Sequence, residues 1–255
     1  TGQVQRTAKS LGKRWCLAYS TTMLVDMSGS HAGYGPLSSL NVWTVVVSAG
    51  HGERFGADKS VASLGGKTVL EHSVAAAQTV GTVVVVTAAD RCQAVEHLLE
   101  GFEKVAAVVV GGATRSASVR AGLAAVPTSA EILLVHDGAR PLASPALFAA
   151  VVEAVRQGAD GVVASGAASV GLRWRAGGAL VRQQVVIVQT PQGFSAQALR
   201  QAHQEQGEAT DDAPLVEAHG GQVEVVAGET GNIKVTHVED LAILNHHLKL
   251  RSTDA

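Results

Sequence analysis

Val45-Val46-Val47-Ser48-Ala49-Gly50-His51-Gly52-Glu53-Arg54-Phe55-Gly56-Ala57-Asp58-Lys59 decides the fold of this chain. It opens as a β-branched apolar run, the composition of a strand buried on both faces. It then breaks into a turn in which glycines are interleaved with Arg54 and closed by Lys59. Glycines let backbone N–H groups approach a phosphate closely, and a helix start behind them adds its dipole. The two cations would neutralise the phosphate charge. Taken alone, the stretch reads either as a cradle for a nucleoside triphosphate or as a plain glycine turn.

Composition narrows the choice. The chain has 255 residues, of which 46% are hydrophobic and 16% charged, enough apolar material for a substantial core. Aromatics make up only 4%, so that core must be Val, Ala and Leu, which suits helices packed on a parallel sheet. A net charge of −2 argues against a general nucleic-acid or membrane surface, so any anion site is local. No apolar run reaches the length of a membrane span. Cys16 and Cys92 lie far apart and suggest neither a disulfide framework nor a zinc site, which fits a reducing, cytoplasmic compartment.

Residues 1–41 differ from the rest: they are basic and rich in hydroxyls, with Asp26 as the single acid. They read as an organellar transit peptide, which would imply a plastid, or as a cloned-in or mistranslated leader; the second reading is favoured. Either way they stand outside the fold, and residues 42–250 form the expected domain.

Across that domain strands and helices alternate. Val42–Ser48, Thr82–Thr87, Val105–Val110, Glu131–Val135 and Gly161–Ala164 read as buried strands, with helices over Val69–Thr79, Arg91–Leu99, Ser116–Ala125 and Pro145–Gln157. Thr68 followed by Glu71 is a capping box at the first helix. This rhythm predicts an α/β fold with a mostly parallel sheet and right-handed crossovers, binding ligands beyond the strands' carboxyl ends. At 166–189 the rhythm breaks, with an arm over about 168–188. Leu172–Arg175 and Leu180–Val188 around Gly177-Gly178 read as a protruding β-hairpin, either a dimerisation arm or a flap. Thr190–Phe194 reads as a loop, Ala196–Gln206 as a helix, and Thr210-Asp211-Asp212 as the cap of the next helix. Val223–Val226 is a late strand and Val238–Leu250 the closing helix.

The chemistry-bearing residues fall mostly at strand ends. Arg54 and Lys59 follow the first strand, Gly112 and Ser118 the third, Asp137 and Arg140 the fourth, and Lys234 a late loop. Several cations and one acid around a glycine loop suit a nucleoside triphosphate, a divalent metal and a second phosphate.

The ordered set Ala49-Gly50-x-Gly52-x-Arg54, Leu64-Gly65-Gly66-Lys67, Leu70-Glu71-His72-Ser73, Arg115-x-x-Ser118-Val119, Val135–Pro141, Gln189–Phe194, Thr210–Ala213 and Asn232–Thr236 closely resembles the 2-C-methyl-D-erythritol 4-phosphate cytidylyltransferase family. Ribitol 5-phosphate cytidylyltransferase is a close relative and the alternative reading, as is a degenerate nucleotide-binding homologue without catalysis. The resemblance implies a Rossmann-like three-layer nucleotidyltransferase fold with a dimerisation arm. It implies a Mg²⁺-dependent enzyme that joins CTP to a sugar-alcohol phosphate in isoprenoid precursor synthesis. On the matching positions, Arg54, Lys59 and Lys234 are expected to be catalytic. Ala49, Gly50, Gly52, Gly112 and Ser118 are expected to hold the nucleotide. Arg140, Arg182, Thr190 and Thr210 are expected to hold the second substrate, Arg182 from a neighbouring subunit of a homodimer. Asp137 is the expected metal ligand, with Glu229 as a second. The sequence departs from the family pattern where Asp58 replaces a proline in a shortened loop, and at Gly171, Val181 and Gly231.

Overall fold

The computed structural model describes residues 41–50, 52, 54–167, 173–181, 184–205 and 207–253. Strand β1 (Val42–Ser48) leads through the glycine loop and a 3-10 turn (Lys59–Val61) to a small ribbon of β2 (Ser63–Leu64) and β3 (Lys67–Thr68). There follow α1 (Val69–Ala77), β4 (Thr82–Thr87), α2 (Cys92–Leu98), β5 (Val105–Val110), α3 (Arg115–Ala124), β6 (Ile132–Asp137), α4 (Pro145–Arg156) and β7 (Gly161–Ala167). The chain closes with β8 (Val186–Ser195), α5 (Ala196–Gln204), α6 (Ala213–Ala218), β9 (Val223–Ala227) and α7 (Asp240–Thr253).

Seven strands form one sheet in the order β5-β4-β1-β6-β8-β7-β9. All run parallel except β8, which is antiparallel to both β6 and β7. The valine runs are unbroken because successive side chains feed two cores. Val46, Val83, Val85 and Leu134 pack with Leu70 and Val74 of α1, Val95 of α2 and Phe148 of α4. Val45, Val84, Val86 and Leu133 pack on the opposite face with Val119 and Leu123 of α3, Leu199 of α5 and Val216 of α6. Leu70, Val74 and Phe148 are fully buried, and each stabilises the fold by about 2 kcal/mol. The result is the expected three-layer α/β architecture. The expected capping box is also formed: the Glu71 N–H donates to Thr68 Oγ1 at 3.2 Å and the Thr68 N–H to Glu71 Oε2 at 2.7 Å.

Two local expectations change. Residues 190–194 are not a loop but the centre of β8, which pairs Leu133 with Phe194 and Leu134 with Gly193. Sequence pattern hid this because Thr190 and Pro191 fall where the β7–β8 register shifts, between Val163–Gln192 and Ala164–Gln189. A proline is tolerated in a sheet at such an irregularity, where no ladder bond needs its missing N–H. The hairpin arm is correspondingly redrawn. Its long paired strands are β7 and the first half of β8, and beyond them, among the described residues, only Arg173 and Ala179 bridge. Gly177 and Gly178 turn that tip with φ of 106° and 89°. Cys92 is buried at the start of α2, and the other cysteine, Cys16, lies outside the described residues. The expected leader, apart from Asn41, also lies outside them, as do His51, Gly171 and Arg182.

Candidate active site

Because β1, β4, β5 and β6 are parallel, their carboxyl ends share one edge. The chain runs outward from β1 to β4 and β5, then returns to place β6 on the other side of β1. That reversal opens a crevice where Val47 pairs with Asp137. A cleft of about 570 Å³ occupies it, lined by the glycine loop, the loop before α3, the end of β6 and the segment around Lys234.

Loop geometry depends on its glycines. Gly52 has φ 66°, and a Cβ there would meet the Ala57 carbonyl oxygen at 2.5 Å. The Phe55 and Gly56 N–H groups donate back to the Gly52 carbonyl at 2.8 and 3.0 Å, closing a tight turn that carries Arg54 at its exposed tip. Across the cleft, Gly112 lies so close to α3 that a Cβ would meet Ala117 Cβ at 2.4 Å. Thr114 caps α3 by accepting the Ala117 N–H at 3.0 Å, so the helix N-terminus and its partial positive charge face the cleft. Ser118, one turn into that helix, also lines the cleft and donates to the Thr114 carbonyl at 2.9 Å.

Asp137 sits at the cleft floor among cations. Its Oδ2 lies 2.8 Å from Lys234 Nζ and 3.6 Å from Arg140 Nε, and its Oδ1 lies 3.9 Å from Arg115 Nε. Burial pushes this carboxyl up, but Lys234, Arg115 and Arg140 outweigh burial and hold it well below the usual carboxylate range. Lys59 reaches the cleft from the loop and donates to the Val235 carbonyl at 3.0 Å. Burial lowers its ammonium below the ordinary lysine value, and the charge of Lys234 lowers it further. Asp58 does not take the Lys59 charge: its carboxylate caps the 3-10 turn through the Ser60 N–H and pairs with Arg91 at 2.8 Å. With Arg54, Lys59, Arg115 and Lys234 lining it and both acids paired, the cleft is built for a polyanion.

A sequence model of a family described as IspD: 2-C-methyl-D-erythritol 4-phosphate cytidylyltransferase matches residues 42–249, from β1 to the last turns of α7. The chain belongs to that cytidylyltransferase family. A 2-C-methyl-D-erythritol 4-phosphate cytidylyltransferase of Pelotomaculum thermopropionicum is 41% identical over 228 residues, covering 82% of this chain and 95% of that protein. A solved structure of the 2-C-methyl-D-erythritol 4-phosphate cytidylyltransferase of Thermus thermophilus is 34% identical and covers 82% of this chain and all of that one, with a TM-score of 0.66. A bifunctional enzyme IspD/IspF of Nitratidesulfovibrio vulgaris is 47% identical over 146 residues, and there the match spans only 37% of the relative.

Within this cytidylyltransferase fold, nine of the expected residues line one cleft: Ala49, Gly50, Gly52, Arg54, Lys59, Gly112, Ser118, Asp137 and Lys234. Four described ones do not. Thr190 is buried, and its hydroxyl accepts the Asp137 N–H at 3.0 Å and lies 3.1 Å from His136 Nδ1, so it holds the end of β6 rather than facing a substrate. Arg140 lies beneath the floor, donating to the Asn232 carbonyl at 2.8 Å. Thr210 is exposed beyond α3 and caps nothing; α6 starts instead after Asp212. Glu229 is not beside Asp137. Its carboxylate accepts the Ser144 N–H at 3.1 Å and the Ser144 hydroxyl at the start of α4, and lies 3.8 Å from Arg251. Among the described residues no group of three or more His, Cys, Asp or Glu gathers that could hold a metal; the carboxylates lining the cleft are Asp58 and Asp137.

Sequence reading missed three residues. Arg115 bridges the cleft to the interior, pairing with Asp212 at 2.8 Å on one side and approaching Asp137 on the other. Asp212 is fully buried and also accepts from His203 Nε2 at 3.0 Å, although its place before a helix suggests a mere cap. Arg91 lies behind the glycine loop. The Arg-x-x-Ser spacing points to Arg115, but nothing local marks Asp212 or Arg91, whose partners are 97 and 33 residues away. His136 is buried and neutral: desolvation lowers it to about 4, so it is a structural imidazole and not a base at neutral pH.

Proposed function

We propose that this chain transfers CMP from CTP to 2-C-methyl-D-erythritol 4-phosphate, giving 4-diphosphocytidyl-2-C-methyl-D-erythritol and pyrophosphate, as a Mg²⁺-dependent homodimer. The observation that carries the reading is that Lys234 pairs with Asp137 at 2.8 Å while Lys59 and a glycine loop line the same cleft, at the sheet's reversal point. In the reaction a substrate phosphate oxygen forms a bond to the α-phosphorus of CTP as the bond to the bridging oxygen breaks, and pyrophosphate leaves with that electron pair. The attacking phosphate is already an anion, so no general base is required. Positioning and charge stabilisation carry the rate.

In this reading the loop amides and Arg54 hold the β- and γ-phosphates. Gly112 and Ser118 lie at the nucleoside end of the cleft, where a side chain at 112 would collide with Ala117. Lys59 and Lys234 neutralise charge growing on the α-phosphate. The donor set fits Mg²⁺, which takes one or two carboxylates and completes its shell with phosphate oxygens and water. Asp137 would hold it; its carboxylate now pairs with Lys234 at 2.8 Å. Mg²⁺, when bound, would supply charge neutralisation at the triphosphate.

The dimer reading rests on the arm. Val186, Ile187 and Val188 are 36–47% exposed on the half of β8 that pairs with β7 alone, and Trp174 at the tip is 64% exposed. An apolar strand with an open edge suits a second copy of the chain. Arg182 belongs to this proposal but lies outside the described residues. Among the described residues no helix is long and apolar enough to cross a membrane, and a cytoplasmic location is part of the same reading. Incubation with CTP, Mg²⁺ and 2-C-methyl-D-erythritol 4-phosphate is expected to release pyrophosphate. Release with ribitol 5-phosphate instead would transfer the assignment to that substrate, and CTP binding without turnover on either would make the chain a nucleotide binder.

A further inference from the structure

Arg91, in the turn between β4 and α2, is not among the residues lining the cleft, yet it makes three polar contacts to the loop that does. Its NH1 pairs with Asp58 Oδ1 at 2.8 Å, and its NH2 donates to the carbonyls of Ala49 and Gly50, both at 3.2 Å. Nε lies 3.8 Å from the exposed Asp90 carboxylate. The Arg91 side chain is 14% exposed, which shields its bonds to Asp58 and Ala49 from water competition, while the bond to Gly50 is exposed. One guanidinium thus ties the first residues of the glycine loop to its last.

We infer that Arg91 is a positioning residue that latches the phosphate loop in its nucleotide-binding shape. In a trans peptide the C=O and the following N–H point in opposite directions. Anchoring the Ala49 carbonyl to Arg91 behind the loop therefore turns the Gly50 N–H to the other side, where Gly50 lines the cleft. The same guanidinium holds Asp58, whose Oδ1 also accepts the Ser60 N–H at 3.0 Å and the Ser60 hydroxyl at 2.6 Å. Those bonds set the turn on which Lys59 stands, and Lys59 then reaches Val235. A planar fork with several fixed donors can span a carboxylate and two carbonyls at once; an ammonium cannot do so with the same geometry.

The inference rests on the cytidylyltransferase reading, and two measurements separate them. Pyrophosphate release is followed with CTP varied and then with the sugar phosphate varied, for the parent chain, Arg91→Ala and Arg91→Lys. Arg91→Ala is expected to raise KM for CTP about tenfold and leave KM for the sugar phosphate within about twofold, because charge-assisted bonds to the loop are lost. Arg91→Lys, keeping the pair with Asp58, is expected to recover part of that loss. A CTP KM unchanged in Arg91→Ala, or both KM values rising together, overturns the latch. If the parent chain releases no pyrophosphate, the reaction reading has failed and the latch is read in the ligand-free protein by hydrogen exchange. Arg91→Ala should then speed amide exchange over residues 54–60 about tenfold while β4 is unchanged. Unaltered exchange in that segment also overturns it.

Discussion

Lys234 Nζ lies 2.8 Å from Asp137 Oδ2, so the cleft's central acid already holds a cation. Lys234 is 40% exposed and Asp137 only 12%, so the lysine is the partner free to turn toward phosphate. Asp137 stays anionic because Lys234, Arg115 and Arg140 overcome the cost of its burial. Its depressed folded pKa contributes stability that is present above the unfolded carboxylate value and lost as pH falls through the lower folded value. Asp137→Asn is therefore expected to abolish turnover and to be less stable than the parent at pH 7. That difference should shrink below about pH 4, as urea unfolding at several pH values would show.

Lys59→Ala is expected to cut turnover by roughly a hundredfold or more while moving stability by less than about 1 kcal/mol. The ammonium donates one described bond, to Val235, so the fold barely depends on it. Turnover within a few-fold of the parent, with pyrophosphate release as the readout, would remove Lys59 from the reaction.

Glu229→Gln separates the two expected metal ligands. Its carboxylate supports Ser144 at the start of α4, not Asp137. The variant is expected to lose about 1 kcal/mol of stability and to keep the parent's Mg²⁺ dependence of turnover. A shift in the Mg²⁺ concentration giving half activity would restore Glu229 to the metal site.

Asp212→Ala strips the buried partner from Arg115 and from His203. Removing one member of a buried ion pair costs about 3–5 kcal/mol, which chemical denaturation would record. A cost below about 1 kcal/mol would mean that Arg115 is held by other contacts.

His136 should titrate with a midpoint near about 4, followed by its ring-proton shifts. Desolvation places the folded value below the unfolded one of 6.5, so the unfolded chain takes the proton first. Stability tied to this group is full above 6.5 and falls as pH drops toward about 4. Thr190→Val leaves the Asp137 N–H without its acceptor and His136 Nδ1 without its neighbour, at an expected cost of about 2 kcal/mol.

The sequence by itself determined the elements and their order. The valine runs of β1 and β4, the Thr68–Glu71 capping box and the apolar spacing of α4 are local patterns, and local patterns suffice for buried strands and capped helices. It also determined the family, because ordered motifs survive without knowledge of contacts. Nine of the expected residues line one cleft because parallel strands bring their ends to one edge whatever the side chains do afterwards. Only the tertiary structure decided what each polar group faces. Thr190 and Glu229 carry the chemistry of substrate and metal ligands, yet the bulged β8 and the start of α4 consume them internally. Asp212 and Arg91 look like a helix cap and a surface arginine. Their roles come from partners distant in sequence, brought within 3 Å where the start of α3 meets the residue before α6 and where the turn after β4 meets the glycine loop. A sequence specifies which groups exist; the fold's long-range contacts decide which of them remain available to a ligand.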